Sequence, residues 1–185
     1  ASPDTRLELN FYTGRVEVDG KYVTLDDGTP LQYMPLAVEQ NLTASKYIET
    51  AGARMKKYEV DRTAYSDGRM PDNDIVLYRY ADVLLMKAEA KVRNGESGDE
   101  QFNAVRSRAG MPSLAATLAN ILDERLLELV WEGWRRQDMI RFGTYCEPYD
   151  IHTPSAADKK RYTIVFPIPE KARELNPNLA QNPGY

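Results

Sequence analysis

Cysteine and histidine are almost missing from this chain: Cys146 and His152 are the single examples of each. One cysteine makes no internal disulfide and no CxxC pair, and one histidine excludes a histidine-rich metal cluster. Cys146 and His152 share a Tyr-, Pro- and Asp-rich segment with no orienting motif, so they read as a packing thiol and a loop imidazole rather than a thiol–imidazole couple. Long apolar runs are missing too. Nothing approaches the roughly 20 residues of a membrane-spanning helix. The opening ASPDTRLELN has no basic segment followed by an apolar run, the mark of a secretory signal. There is no P-loop, no GxGxxG and no EF-hand loop, and no serine has a GxSxG or SxxK setting. Positive charge is not in excess either. Lys plus Arg is 24 against 28 Asp plus Glu, a formal net charge of −4. Phosphate binding needs a basic face, so nucleic acid is not the expected partner.

What remains is an ordinary soluble composition, with 42% hydrophobic and 28% charged residues in 185, long enough for one real core. Residues 1–70 read as irregular, with short strands. The runs Arg15–Val18 and Lys21–Leu25 flank Asp19-Gly20, a type I′ hairpin signal because both turn residues tolerate positive φ. A turn cluster follows at Asp26 to Pro30, and a short strand is predicted near Met55 to Val60. Asp72, Asn73 and Asp74 are helix-cap residues. Leu77, Tyr80, Ala81, Leu84, Leu85 and Ala88 recur at helical spacing. The pattern predicts a helix from Ile75 to Arg93, stopped by Asn94-Gly95. A second helix is predicted over Asp99 to Arg108, with Phe102 and Val105 inward and Ala109-Gly110-Met111-Pro112 as its stop. The pair has the shape of a tetratricopeptide-like hairpin, without a second copy at a fixed period. A third helical region is predicted from Leu114 to Phe142, bent at Gly133. Leu122, Leu126, Leu129, Val130 and Gly133 form one buried stripe, and Leu127, Trp131 and Trp134 a second. Gly133 inside a helix calls for a close-packed neighbour. Beyond Gly143, Tyr162 to Phe166 reads as extended. Pro167 and Pro169 enforce an extended path, Glu170 to Leu175 makes a turn or two of helix, and Asn176-Pro177 and Asn182-Pro183-Gly184 are turns.

Charge concentrates on the third helix. Glu124, Glu128 and Glu132 lie four apart and share a face. Arg125 stands three before Glu128, Arg136 four after Glu132, and Arg135 three before Asp138. A glycosidase needs two carboxyls across a cleft, about 5 to 10 Å apart. Glutamates on successive turns point the same way and do not straddle a sugar. The expected role is therefore an ionic network tying helix to neighbours. Asp26-Asp27 and Asp72-Asn73-Asp74 are short acidic clusters that suggest calcium, but turn and cap roles account for them and no cofactor is expected. Tyrosine is plentiful, at 12 against 4 Phe and 2 Trp. Several tyrosines, Tyr33 and Tyr65 among them, fall outside the helices. Loop-borne rings of this kind can stack on sugar faces.

Several motifs in order resemble the SusD/RagB family of surface nutrient-binding lipoproteins. RYADVLLMKAEA within residues 75–95, FNAVRSRAGMP at 102–112, and ILDERLLELVWEGWRRQDMIRFG at 121–143 are similar to the family's helices. FPIP at 166–169 and NPNLAQNPGY at 176–185 look like its C-terminal ending, and DTRLELNF at 4–11 resembles a weaker segment. The resemblance implies a mainly α fold: tetratricopeptide-like hairpins with long irregular loops and a small β-hairpin, the C-terminal portion of the SusD-like α/α fold. It implies a division into a loop-rich 1–70, a helical core 71–145 and a proline-rich tail 146–185 packed on that core. It implies a C-terminal fragment, whose helix faces meet the N-terminal half of the same protein. It implies an outer-membrane, cell-surface position through a lipid anchor in that N-terminal part, oligosaccharide as ligand, and a SusC-like TonB-dependent transporter as partner. Glu124, Arg125, Glu128, Glu132, Arg135 and Asp138 carry over as structural residues, and no catalytic residue is expected. Two other readings stand beside glycan capture. One is a protein-interaction scaffold without sugar binding, the other a hydrolase.

Overall fold

The computed structural model describes residues 3–37, 49–58, 61, 63–66, 68, 71–149 and 152–185. As expected, the protein is mainly helical with short strand pairs. It divides into two compact units, Ala1–Gly133 and Trp134–Tyr185.

The first unit opens with a short helix, α1 (Arg6–Asn10). The Thr5 amide and hydroxyl both donate to the Ala109 carbonyl, at 3.1 and 3.2 Å, so the chain start is fixed far along the sequence. Three antiparallel ribbons follow, nested one inside the next. β1 (Phe11–Tyr12) pairs with β6 (Arg54–Met55), with Phe11 opposite Met55. β2 (Gly14–Arg15) pairs with β5 (Gln32–Tyr33), with Gly14 opposite Tyr33. β3 (Glu17–Val18) pairs with β4 (Lys21–Tyr22), with Glu17 opposite Tyr22. The innermost ribbon is the predicted hairpin. Asp19 and Gly20 have φ of 50° and 74°, the two positive values of a type I′ turn. The strand predicted near residues 55–60 is β6, shifted back to Arg54–Met55. Residues 59 and 60 lie outside the described residues.

α2 (Tyr80–Arg93) begins five residues later than the periodicity predicts. Its N-cap is Arg79, in extended conformation and with no side-chain cap bond. Asp72, Asn73 and Asp74 therefore cap nothing, and residues 71–79 hold no regular structure. The buried face is Asp82, Leu85, Ala88 and Glu89, whereas Leu77 and Tyr80 are exposed. The helix ends as expected. Gly95 has φ +78°, its amide donates to the Val92 carbonyl, and the Glu96 amide donates to Lys91 at 2.8 Å. This is a Schellman stop.

α3 (Asp99–Arg108) has the predicted bounds, and Phe102 and Val105 are buried. The α2–α3 hairpin is tight at Gly98, where a Cβ would meet the Ala88 carbonyl oxygen at 2.6 Å. Loop 112–117 is pinned by side chains. Asn103 accepts from the Leu114 amide at 2.8 Å and donates to its carbonyl, and Asp99 accepts from the Ala116 amide at 2.6 Å. α4 (Leu118–Glu128) then starts at the N-cap Thr117, whose hydroxyl accepts from the Asn120 amide. α4 packs on α2, and Leu85, Ala88, Phe102, Val105, Ile121 and Leu129 make the core.

The predicted third helix is broken rather than bent. α4 stops at Glu128, and α5 starts at Arg135. Between them Trp131 and Gly133 take φ of +67° and +80°, which no α-helix accommodates. Gly133 is not a close-packing site, because a Cβ there would meet nothing within 4 Å. Its role is the left-handed backbone itself. Of the two expected apolar stripes, Leu126 and Leu127 are exposed although they lie within α4, and Trp131, past its end, is exposed as well.

The second unit holds α5 (Arg135–Arg141), α6 (Ala156–Lys159) and α7 (Glu170–Leu175). α6 carries a capping box between Ser155 and Asp158. Residues Tyr162–Ile164 form a 3-10 turn rather than the expected extended path, which begins at Val165. The tail is held by reciprocal bonds. Gln181 accepts from the Ile168 amide at 2.8 Å and donates to its carbonyl at 3.0 Å, and Tyr185 donates to the Val165 carbonyl at 2.9 Å. The guanidinium of Arg136 lies 4.2 Å from the Phe166 ring centroid and donates to the Thr163 carbonyl at 3.0 Å. Cys146 is buried 4.0 Å from the Thr163 hydroxyl, and His152 stacks on Tyr149, each with its own partner.

Candidate functional site

Glu124 and Glu128 project from the buried side of α4 into a lattice of five cations drawn from four places along the chain. Arg6 Nη1 donates to Glu124 Oε1 at 2.7 Å and to Glu128 Oε2 at 3.0 Å, while its Nη2 donates to Asp4 at 2.7 Å. Arg106 Nη1 takes the other oxygen of Glu124 at 2.7 Å. Arg79 and Arg108 both donate to Glu128 Oε1. Glu132, just past the helix, receives Arg79 Nε at 2.8 and 3.0 Å on its two oxygens, and Lys57 joins it there. A carboxylate in hydrocarbon is costly unless paired and hydrogen-bonded. Here each oxygen of all three glutamates has a cationic donor.

The electrostatics follow. Burial pushes the Glu128 carboxyl up, but the hydrogen bond and charge of Arg79, with Arg108 and Arg6, outweigh it and hold the group below its ordinary 4.5. Burial is likewise outweighed at Glu132 by Arg79 and Lys57. Burial tends to lower Arg79, but its bonds to Glu132 and Glu128 raise it. A general acid needs a raised carboxyl and a nucleophile needs a free oxygen, and Glu128 and Glu132 have neither. The glutamates brace α4 against the segments that carry Arg6, Lys57, Arg79, Arg106 and Arg108.

The other charged residues singled out in the sequence have separate places. Arg125 leaves the lattice for α2, where its Nη1 donates to Asp82 Oδ1 at 2.7 Å with both side chains only 1% exposed. Arg135 opens α5. Asp138 is buried in the second unit, with Arg141 Nη1 at 3.0 Å. The helical spacing that suggested Arg125–Glu128 and Glu132–Arg136 pairs gives way to long-range partners. The five cations gave no signal in the sequence, because they come from four separate segments, Arg106 and Arg108 sharing α3, and none shows periodicity with α4.

Tyr33 and Tyr65 are not brought together into one cavity lining. Tyr33 sits in β5, half-buried, with the Arg54 guanidinium 4.8 Å from its ring centroid, so a cation already covers one face. Tyr65 lies in a turn with its side chain 81% exposed. Asp27 accepts from the Thr29 amide at 2.8 Å, the expected turn role. Among the described residues no group of three or more His, Cys, Asp or Glu side chains is placed to hold a metal ion, and no helix is long and apolar enough to cross a membrane.

Cavities adjoin the lattice. One, of about 420 Å³, is mostly apolar, lined by Leu7, Phe11, Leu126, Leu127 and Val130 together with Asp4 and Arg6. The other, of about 660 Å³, is lined by Tyr58, Asp61, Asn73, Asp74, Trp131 and Glu132, among others. Sequence reading missed the second one, because Trp131 reads there as a core residue of a continuous helix.

Comparison with known proteins agrees with this architecture. The SusD family model matches residues 31–185. The starch-binding protein SusD of Bacteroides thetaiotaomicron is 31% identical over 71% of this chain and 25% of its own length. SusD-like protein P25 of Formosa agariphila is 36% identical over 62% of this chain and 25% of its own length. The surface glycan-binding protein A from Bacteroides thetaiotaomicron, solved in complex with laminarihexaose, superposes with a TM-score of 0.66 at 25% identity, covering 98% of this chain and 38% of that one. The chain spans about a quarter of the length of these curated relatives. A model match over residues 31–185, most of the sequence, means that this chain belongs to the SusD family.

Proposed function

We propose that the protein captures oligosaccharides at the cell surface without cleaving them and delivers them to a TonB-dependent outer-membrane transporter of the SusC type. In this reading it is held at the outer membrane by a lipid anchor on sequence N-terminal to Ala1. The observation that carries glycan capture is the likeness to a relative solved with laminarihexaose, across nearly the whole of this chain. The starch-binding relative supports the same ligand class. Binding without hydrolysis is supported by the site chemistry. The glutamates nearest to a glycosidase pattern have every oxygen taken by a cation.

Isothermal calorimetry of the purified protein against a panel of polysaccharides and hexasaccharides tests the reading. Saturable binding with no release of reducing ends is expected. A transporter barrel recovered from membranes by the protein would support delivery. Recovery of that barrel with no binding to any glycan would favour the scaffold reading. Reducing-end release by the purified wild-type protein would overturn the reading in favour of a hydrolase.

A further inference from the structure

Among the described residues, four that are not glycine have positive φ: Asp19, Tyr58, Trp131 and Arg161. Asp19 is accounted for by its hairpin turn, and Arg161 is the residue before the 3-10 turn. The remaining two are aromatic, and both line the same 660 Å³ cleft. Side chains rarely adopt this backbone region, and bulky ones least of all. Held strain of this kind clusters at ligand clamps.

Trp131 is the sharper case. It is 67% exposed, so no described residue of this chain buries it. Its backbone suits glycine, so local conformation does not explain it either. The residue is nevertheless firmly placed. Leu129 before it is buried, and the Glu132 amide after it donates to the Leu129 carbonyl at 3.0 Å. The Glu132 carboxylate is locked by Arg79 and Lys57. An indole on so fixed a base is a preorganised surface.

The rest of the cleft joins apolar Ala64, Pro71, Ile75 and Val76 to the acidic Asp61, Asp74 and Glu132. Asp61 is held by the Thr63 amide and hydroxyl at 2.8 and 2.7 Å and by the Asp72 amide at 2.9 Å. The Asp72 amide, with Thr63, lowers its pKa to about 2, so it remains an acceptor at any working pH. Asn73 and Asp74 add further polar groups. A pyranose presents an apolar C–H face and an edge of hydroxyl donors. The first suits an aromatic ring, and the second suits carboxylate acceptors. The cleft volume is within the ordinary range for small-ligand sites. A uronate or sulfated sugar would place its charge beside Asp61 and Asp74, where like charges repel.

We propose that Trp131 is the stacking platform of a binding subsite for a neutral pyranose unit of an oligosaccharide, with Tyr58 lining the same cleft and Asp61 and Asp74 accepting from the sugar hydroxyls. The proposal rests on the glycan-capture reading and gives that reading a location and a charge preference.

The test uses calorimetry with maltohexaose, laminarihexaose and an oligogalacturonate, on the wild type and on Trp131→Gly and Trp131→Phe. At least one neutral hexasaccharide binds, and the acidic oligomer does not. Trp131→Gly weakens binding about tenfold or more, the equivalent of one stacking contact of ~1.4 kcal/mol, and its thermal midpoint does not fall because glycine relieves the backbone. Trp131→Phe keeps affinity within about threefold. In Trp134→Phe, which leaves Trp131 as the single tryptophan, a bound hexasaccharide protects the fluorescence from iodide quenching. Wild-type affinity in Trp131→Gly overturns the subsite while leaving glycan capture intact. Loss of binding together with a lowered thermal midpoint in Trp131→Gly makes the ring structural and also overturns it. Tighter binding of the oligogalacturonate overturns the charge preference. No binding of any glycan by the wild type removes the glycan-capture reading itself, and the subsite with it.

Discussion

Replacing Glu128 by glutamine probes the lattice at its centre. The side chain is 2% exposed and receives three guanidiniums. Arg79 and Arg108 meet one oxygen and Arg6 meets the other. Glutamine has the same shape but replaces one acceptor by an NH2 donor. Turned one way, its amide faces Arg6; turned the other, it faces Arg79 and Arg108. No rotamer avoids a donor against a donor, and the charge that balanced the cations is gone. Removing one partner of a buried pair costs ~3–5 kcal/mol. On a chain of this size that lowers the melting temperature by roughly 6–20 °C. Arg108→Gln is the control. Its side chain is 58% exposed, so the loss stays below ~1 kcal/mol. Urea and thermal unfolding of both variants beside the wild type measure the difference. A Glu128→Gln cost below ~1 kcal/mol, or one equal to that of Arg108→Gln, would refute the idea that these glutamates brace the fold.

Acid titration should show the same lattice. Glu128 and Glu132 are held below 4.5 in the folded state, and Asp4 below 3.8, chiefly by its bond from Arg6. Groups depressed on folding stabilise fully above their unfolded values and lose that contribution as pH falls through the folded ones. Stability followed by circular dichroism should therefore be level above pH ~5 and decline steadily below ~4.5; a decline that begins near neutrality would contradict the assignment. Gly98→Ala drives a Cβ to 2.6 Å from the Ala88 carbonyl and should cost ~1–3 kcal/mol through separation of α2 and α3, read as a lowered urea midpoint. Thr117→Ala removes the N-cap of α4 and should cost ~1 kcal/mol in the same assay.

Legibility in the sequence tracked the range of the interaction. α3, the Asp19-Gly20 turn, the Gly95 stop and α7 depend on neighbours within a few residues, and the sequence states them. The start of α2 was misread because Ile75 and Leu77 continue a helical spacing that the backbone does not follow. Arg79 instead stays extended, and its guanidinium reaches Glu128 and Glu132. The break after α4 was misread for a similar reason. Apolar spacing runs unbroken from Leu122 to Trp134, but a positive φ at Trp131 leaves no mark on periodicity. Hence the shared face of the three glutamates was legible, whereas their partners Arg6, Lys57, Arg79, Arg106 and Arg108 were not. Tertiary ion pairs have no local pattern. Trp131 shows the same limit at the cleft, since its exposure follows from the break and from nothing in its own neighbourhood.

Calorimetric titration of the wild-type protein with a neutral glucan hexasaccharide, followed by analysis of the same sample for released reducing ends, tests the central claim most directly. Saturable heat with the hexasaccharide recovered intact is the predicted result. Shortened sugar in the sample, or no heat across neutral and acidic glycans alike, would contradict it.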